Sequence, residues 1–292
     1  RIDALYGIVN GTCNYILTRM KLEGADFAEV LADAQRLGYA ETPPDLDVDG
    51  HDAAHKIGIL ASLAHGFWVN PKSIHVEGIR NVSALDIKFA GKLGYTIKLL
   101  GIVKKVEVRK GKRGCGVQVS VYPTLIPNAH VLASVNYAFN AVFVNGDIVG
   151  DTLFYGRGAG KDATASAVLS DLADAALDLK FKNQQRVPPF VPHECEGAVL
   201  PIEEAVSEYF VRLNVVDQPG VLAKIATIFG ESKIGISSVI QPEGHEGKSV
   251  PLIFMLHYAP NGAAIRALKK IGKLPVVKGE PVMFRVENFD QK

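Results

Sequence analysis

The chain has 292 residues, 48% of them hydrophobic and 22% charged, enough for two domains with sizeable cores. Its formal net charge of +1 argues against a nucleic-acid partner or an anionic membrane surface, and no apolar run approaches the ~20 residues of a membrane span. The three cysteines, Cys13, Cys115 and Cys195, lie far apart in no metal-binding spacing, so they read as reduced thiols of a cytoplasmic protein without a signal peptide.

Residues 2–9, Ile-Asp-Ala-Leu-Tyr-Gly-Ile-Val, predict a strand with no linker before it. The chain opens with Arg1 and holds no strand followed by Gly-x-Gly-x-x-Gly, so the natural protein is expected to extend further toward its N-terminus. Asn10-Gly11-Thr12 predicts a tight turn into a helix ending near Gly24. Backbone N–H groups at such a turn are a natural place for a carboxylate, although spacing alone favours a plain capped turn. Residues 27–37 predict an amphipathic helix with Phe27, Val30, Leu31 and Ala34 on one face and Gly38 closing it.

The next loop cannot be helical across Pro43-Pro44, and Glu41, Asp45, Asp47 and Asp49 crowd acid into it. A helix is expected from about Asp49 and Gly50, where an acidic residue suits exposed N–H groups. Asp52 and Lys56 stand four apart on it and share a face. Such a pair is usually a solvated helix face. Here the helix continues Ile57-Gly58-Ile59-Leu60-Ala61, which predicts burial on most sides. A carboxylate-rich loop aimed at an acid–lysine pair would suit a substrate carrying an ammonium group. His51 and His55 have the spacing of a zinc-protease helix, but Asp52 is one methylene shorter than the usual Glu and no third ligand follows. No metal site is expected.

Residues 66–71 are a connection in which Trp68 is expected in the core. A helix over 83–93 leads to a strand over 95–108, a basic turn at 109–114, and a returning strand over 115–122. The lysines and arginines between 104 and 113 read as a solvated hairpin tip rather than an anion site. Strands over 136–144 and 148–155 flank Asn145-Gly146-Asp147, a type I′ hairpin signal. Together these predict an α+β fold, with a mixed or antiparallel sheet covered by helices on one face. Gly158-Ala159-Gly160 is a turn before a helix of small residues over 162–177. Such a turn lets a cofactor or phosphate approach the backbone, but alone it is a common pattern.

The polar, proline-bearing stretch over 181–204 reads as a linker between residues 1–180 and 205–292. The last part predicts strand 209–216, a turn Asp217-Gln218-Pro219-Gly220, helix 221–232, strands 234–241 and 250–258, helix 261–271 and strand 276–286. This βαββαβ order is ferredoxin-like.

Gly38-Tyr39-Ala40-Glu41, followed by prolines and acids and then Gly50-His51-Asp52-Ala53-Ala54-His55-Lys56, closely resembles the substrate-binding region of homoserine dehydrogenase. That family has Gly-Tyr-x-Glu and then Gly-x-Asp-x-x-x-Lys; where it often has Asp-Pro after the Glu, this chain has Pro43-Pro44. The resemblance implies an enzyme that interconverts L-aspartate 4-semialdehyde and L-homoserine with NADP or NAD, in threonine and methionine biosynthesis. It implies Lys56 as acid–base with Asp52 beside it, Glu41 on the substrate ammonium, and Asp47, Tyr39, Gly11 and Thr12 lining the pocket. Gly158, Ala159 and Gly160 would lie by the nicotinamide, and the stretch near 156–178 would return to a nucleotide-binding domain absent from this chain, leaving the chain inactive alone. Asp217-Gln218-Pro219-Gly220-Val221-Leu222 resembles the start of an ACT regulatory domain. There Asp217, Gly220 and Val221 would bind an amino-acid effector, threonine, unless the module only dimerises. A homodimer or homotetramer is implied. The rival is a non-catalytic amino-acid-binding regulatory protein, against which the Asp52–Lys56 pair and the Gly158–Gly160 turn argue.

Overall fold

Alternating apolar residues and well-placed glycines shape most of the elements, which the computed structural model describes over residues 1–106, 115–182, 197–241 and 249–289. In chain order they are β1 (Ile2–Ile8), α1 (Gly11–Glu23), α2 (Phe27–Arg36), α3 (Asp45–Val48), α4 (His51–His65), β2 (His75–Val76), α5 (Ala84–Lys92), β3 (Tyr95–Val106), β4 (Cys115–Pro127), β5 (Phe139–Gly146), β6 (Gly150–Arg157), α6 (Lys161–Phe181), β7 (Gly197–Val199), β8 (Val206–Val216), α7 (Val221–Glu231), β9 (Ile236–Ile240), β10 (Ser249–Pro260), α8 (Asn261–Ile271) and β11 (Val277–Val286). The fold is α+β with mixed strand pairing, as the sequence predicts. The basic turn at 109–114 and most of the 181–204 linker lie outside the described residues.

The chain divides into two compact units. The first comprises Arg1–Arg80, Leu99–Tyr122 and Ser134–Val199. Here β1 is flanked by β3 and β5, both antiparallel to it, and β6 continues from β5 as an outer strand. In the β1–β3 register Gly7 lies opposite Gly101. Ile57 of α4, fully buried, sits against this glycine pair, and a Cβ on Gly101 would come within 2.9 Å of its Cδ1. The missing side chain at Gly101 thus lets α4 lie close on the strands.

The second unit comprises Asn81–Lys98, Pro123–Ala133 and Leu200–Lys292. Its strands β8 to β11 lie in the order β11-β8-β10-β9, all antiparallel neighbours, with α7 and α8 as crossovers. This is the expected βαββαβ arrangement. Period-two residues Tyr209, Val211, Leu213 and Val215 of β8 join Leu252, Phe254 and the α7 residues Ile225 and Phe229 in one core. Arg212, between two of them, points the other way and pairs at 2.6 Å with the fully buried Asp86, which also closes a capping box at the start of α5.

Four expectations need correction. Asn145 and Gly146 belong to β5, opposite Asp151 and Gly150. The turn is Asp147-Ile148-Val149, and Gly150 (φ 74°) supplies the left-handed residue that the Asn-Gly signal placed earlier. Trp68 is 64% exposed. Beyond Gly66, which ends α4 at φ 71°, the interior position is taken by Val69, whose N–H donates to the buried Ser62 Oγ (3.0 Å). Asp49 does not cap α4. Gly50 does so at φ 85° without a side-chain bond, and α3, one short turn, occupies part of the acidic loop. Finally, α4 is buried on one side only. Ala53, Ala54, Ile57 and Ala61 face inward, whereas Lys56, Ile59 and Leu63 are exposed.

Helix α6 is present and longer than 162–177, and none of its residues is buried; Leu169, Leu172 and Leu179 stand open. No described helix is long and apolar enough to cross a membrane.

Candidate active site

Strand β1 runs into the site through Val9 and Asn10, both buried. Asn10 is the N-cap of α1: its Oδ1 accepts the Cys13 N–H at 2.8 Å. Its Nδ2 donates to Asp47 Oδ1 at 2.7 Å and to Asp52 Oδ2 at 2.9 Å. Lys56 Nζ donates to that same Asp52 oxygen at 2.8 Å and to the Val9 carbonyl at 3.1 Å. One hydrogen-bonded chain, Asp47–Asn10–Asp52–Lys56–Val9, therefore ties α3, the β1–α1 junction and α4 together. The Lys56 side chain is 47% exposed. At that exposure an i,i+4 ion pair is worth only ~0.3–0.5 kcal/mol, too little for stability to be its reason.

The loop is held from below. Arg80 pairs with Asp45 and, through Nε at 2.5 Å, with Asp49, so one guanidinium grips both flanks of α3. The Ile79 N–H donates to the Val48 carbonyl (2.8 Å). Gly78 leaves room for it, since a Cβ there would lie 2.3 Å from the Val48 oxygen. Electrostatically the junction is acidic. The buried Cys13 thiol, which donates to the Asp47 carbonyl at 3.1 Å, is pushed well up, first by burial and then by Asp47, Asp52 and Asp49. Cys13 is thus a neutral packing residue.

The other expected residues flank this chain without joining it. Thr12 Oγ1 donates to the Tyr39 carbonyl at 2.5 Å, and the exposed Tyr39 ring stacks on Tyr15 at 4.6 Å. Gly11 opens α1, where a Cβ would come to a tight 3.2 Å from the Ala138 carbonyl oxygen. Glu41 is exposed in the loop, where Gln35 Nε2 donates to its carbonyl at 3.2 Å. Sequence reasoning placed Asn10 in a turn and missed its donation to two carboxylates. It missed Arg80 altogether. Both act across long sequence separations, for which local spacing carries no signal. Among the described residues no group of three or more His, Cys, Asp or Glu could hold a metal.

Gly158, Ala159 and Gly160 form an exposed turn before α6. A Cβ on Gly158 would fall 2.0 Å from Asn140 Nδ2, and Gly160 has φ 122°, so both need to be glycine. Asn140 thus sits against Gly158 on one side and Gly11 on the other, and its Oδ1 is buried with no hydrogen-bond partner.

In the second unit Asp217, Gln218, Pro219, Gly220, Val221 and Gln241 line a cavity of about 440 Å³. Gln241 Nε2 donates to Asp217 Oδ1 at 3.0 Å. Gly220 has φ 87°, a conformation that favours glycine, and a Cβ there would meet no protein atom within 4 Å.

Fold and network together define an α+β protein built around a lysine–carboxylate site. A family model for homoserine dehydrogenase matches residues 1–173. The homoserine dehydrogenase of Pseudomonas aeruginosa is 42% identical over 294 residues, covering 99% of this chain and 66% of that protein. A homoserine dehydrogenase structure from Thiobacillus denitrificans matches with a TM-score of 0.89 at 40% identity, over 99% of this chain and 65% of the other. One from S. aureus matches with a TM-score of 0.72 at 33% identity, over 99% and 66%. The chain belongs to the homoserine dehydrogenase family. It spans 66% of the length of the first curated relatives it matches.

Proposed function

We propose that this chain carries the substrate-binding and acid–base part of an oxidoreductase that interconverts L-aspartate 4-semialdehyde and L-homoserine, in threonine and methionine biosynthesis in the cytoplasm. The observation that carries the reading is the Lys56 ammonium, half exposed yet oriented by Asp52 and the Val9 carbonyl. Toward the aldehyde, Lys56 donates a proton to the oxygen that becomes the hydroxyl; in reverse it takes that proton. Asp52 orients the amine. Glu41 receives the substrate ammonium, and Tyr39, Asp47 and the Gly11–Thr12 turn line the pocket.

NADP or NAD, when bound, supplies or accepts the hydride. The residues at hand fit a part of its site: an exposed glycine turn at a helix N-terminus, next to the orphaned Asn140 oxygen, would admit the nicotinamide end. The rest of the site lies outside these residues, which lack a dinucleotide fingerprint, so residues 1–292 alone are not expected to turn over. We assign residues 1–180 to the catalytic domain, with 156–178 returning to the nucleotide-binding part, 181–204 to a linker and 205–292 to an ACT domain. There Asp217, Gly220 and Val221 would take an amino-acid effector, threonine. The assembly is a homodimer or homotetramer.

The test is direct. The full-length protein should reduce NADP or NAD only when homoserine is present, with a turnover of ~1–10³ per second. Absence of homoserine-dependent reduction with either nucleotide would overturn the reading.

A further inference from the structure

We propose that Asn10 is a positioning residue for the acid–base lysine, holding Asp47 and Asp52 together so that Asp52 presents its Oδ2 to Lys56. The inference rests on the reading of Lys56 as the proton-transfer group. Asn10 is 5% exposed and spends its whole side chain here. Its Oδ1 caps α1, and its nitrogen donates to two carboxylates from two other elements. Two carboxylate oxygens that converge on one nitrogen repel each other, and the amide donor between them is what offsets that repulsion. It also fixes which Asp52 oxygen Lys56 meets, because both bonds end on Oδ2. The groups facing Lys56 are Asp52 on its own helix, the Val9 carbonyl just beyond β1 and, through Asn10, Asp47 of α3. The neutral Cys13 thiol lies behind them, while His51 and His55 are exposed on α4.

The plain alternative is that Asn10 only caps α1. Ser and Asp cap helices about as well as Asn, so Asn10→Ser and Asn10→Asp keep that role and remove the double donation. Under the proposal both lower kcat by about 10–100-fold, as expected for a displaced catalytic group, with a smaller change in KM. Asn10→Asp does one thing more. A third carboxylate favours the lysine's ammonium form, and oxidation of homoserine needs the neutral amine, so the acid limb of its pH–rate profile moves to higher pH. A cap-only residue leaves Asn10→Ser, which adds no charge, with wild-type kcat and profile, or lowers its kcat and melting temperature together without moving the profile; either result overturns the proposal. Competitive acetylation of Lys56 by acetic anhydride, followed by mass spectrometry across pH, reads the same displacement without turnover. Lys56 in Asn10→Ser, which adds no charge but frees Asp52 from its seat beside the lysine, should become reactive at lower pH than in the wild type, and coincident curves overturn the proposal. A wild-type protein that fails to oxidise homoserine sinks the functional reading instead, while the labelling still decides the role of Asn10.

Discussion

The two units hold their candidate sites in different ways. In the first, side chains from three elements fix one another, with Asn10, Asp47, Asp52 and Lys56 joined in a chain of bonds no longer than 2.9 Å. In the second, the turn at Asp217 to Val221 owes its shape to backbone, to Gly220 at φ 87° and to one exposed Gln241–Asp217 bond. The first arrangement suits chemistry, where a proton donor must stay in register with a reacting atom. The second, a backbone turn at the start of a helix, is the kind of place where a small molecule docks reversibly against N–H groups.

The contrast breaks most severely at the glycine seat. Gly101→Val would drive a branched side chain into Ile57, already within 2.9–3.1 Å of a bare Cβ. We expect a loss of about 1–3 kcal/mol in stability and, because α4 shifts, a fall in kcat on the order of 10²-fold. Gly91→Ala in α5 is the matched control from the second unit. Its added methyl meets nothing within 4 Å, and a helical Gly→Ala change should stabilise by about 0.5–1 kcal/mol with turnover unchanged. Thermal melts and steady-state rates of the two variants side by side check this; equal effects would mean the seat does not position the site.

A smaller effect sharpens the other half of the comparison. Gly220→Asp places bulk and negative charge at the mouth of the α7 turn, at a φ that Asp tolerates for roughly 1–2 kcal/mol. It should abolish inhibition by threonine and leave uninhibited turnover nearly unchanged, since Gly220 takes no part in the Lys56 network. Inhibition curves that coincide with the wild type's would place effector binding elsewhere.

How much of this was legible depended on whether a feature is local. Hydrophobic alternation and capping signals place β1, α1, α2, β8, α7 and α8 close to their observed spans. The Asp52–Lys56 pair is legible because it obeys helical spacing. The hairpin at 145–150 misled because two glycines compete for the left-handed position, and Gly150 takes it. Trp68 misled because apolar character alone does not tell a core residue from one lying on a surface connection; Val69, its neighbour, fills the interior. The roles of Asn10, Arg80 and the Gly7–Gly101 pair depend on partners 31 to 42 residues away or across strands, where one sequence carries no signal.

The central claim is that Lys56 moves the proton. Its most direct test is Lys56→Ala in the full-length protein, comparing single-turnover oxidation of homoserine with homoserine affinity measured by calorimetry. The rate should fall by about 10²–10⁴-fold while affinity and melting temperature stay close to the wild type's. An unchanged rate in the variant would contradict it.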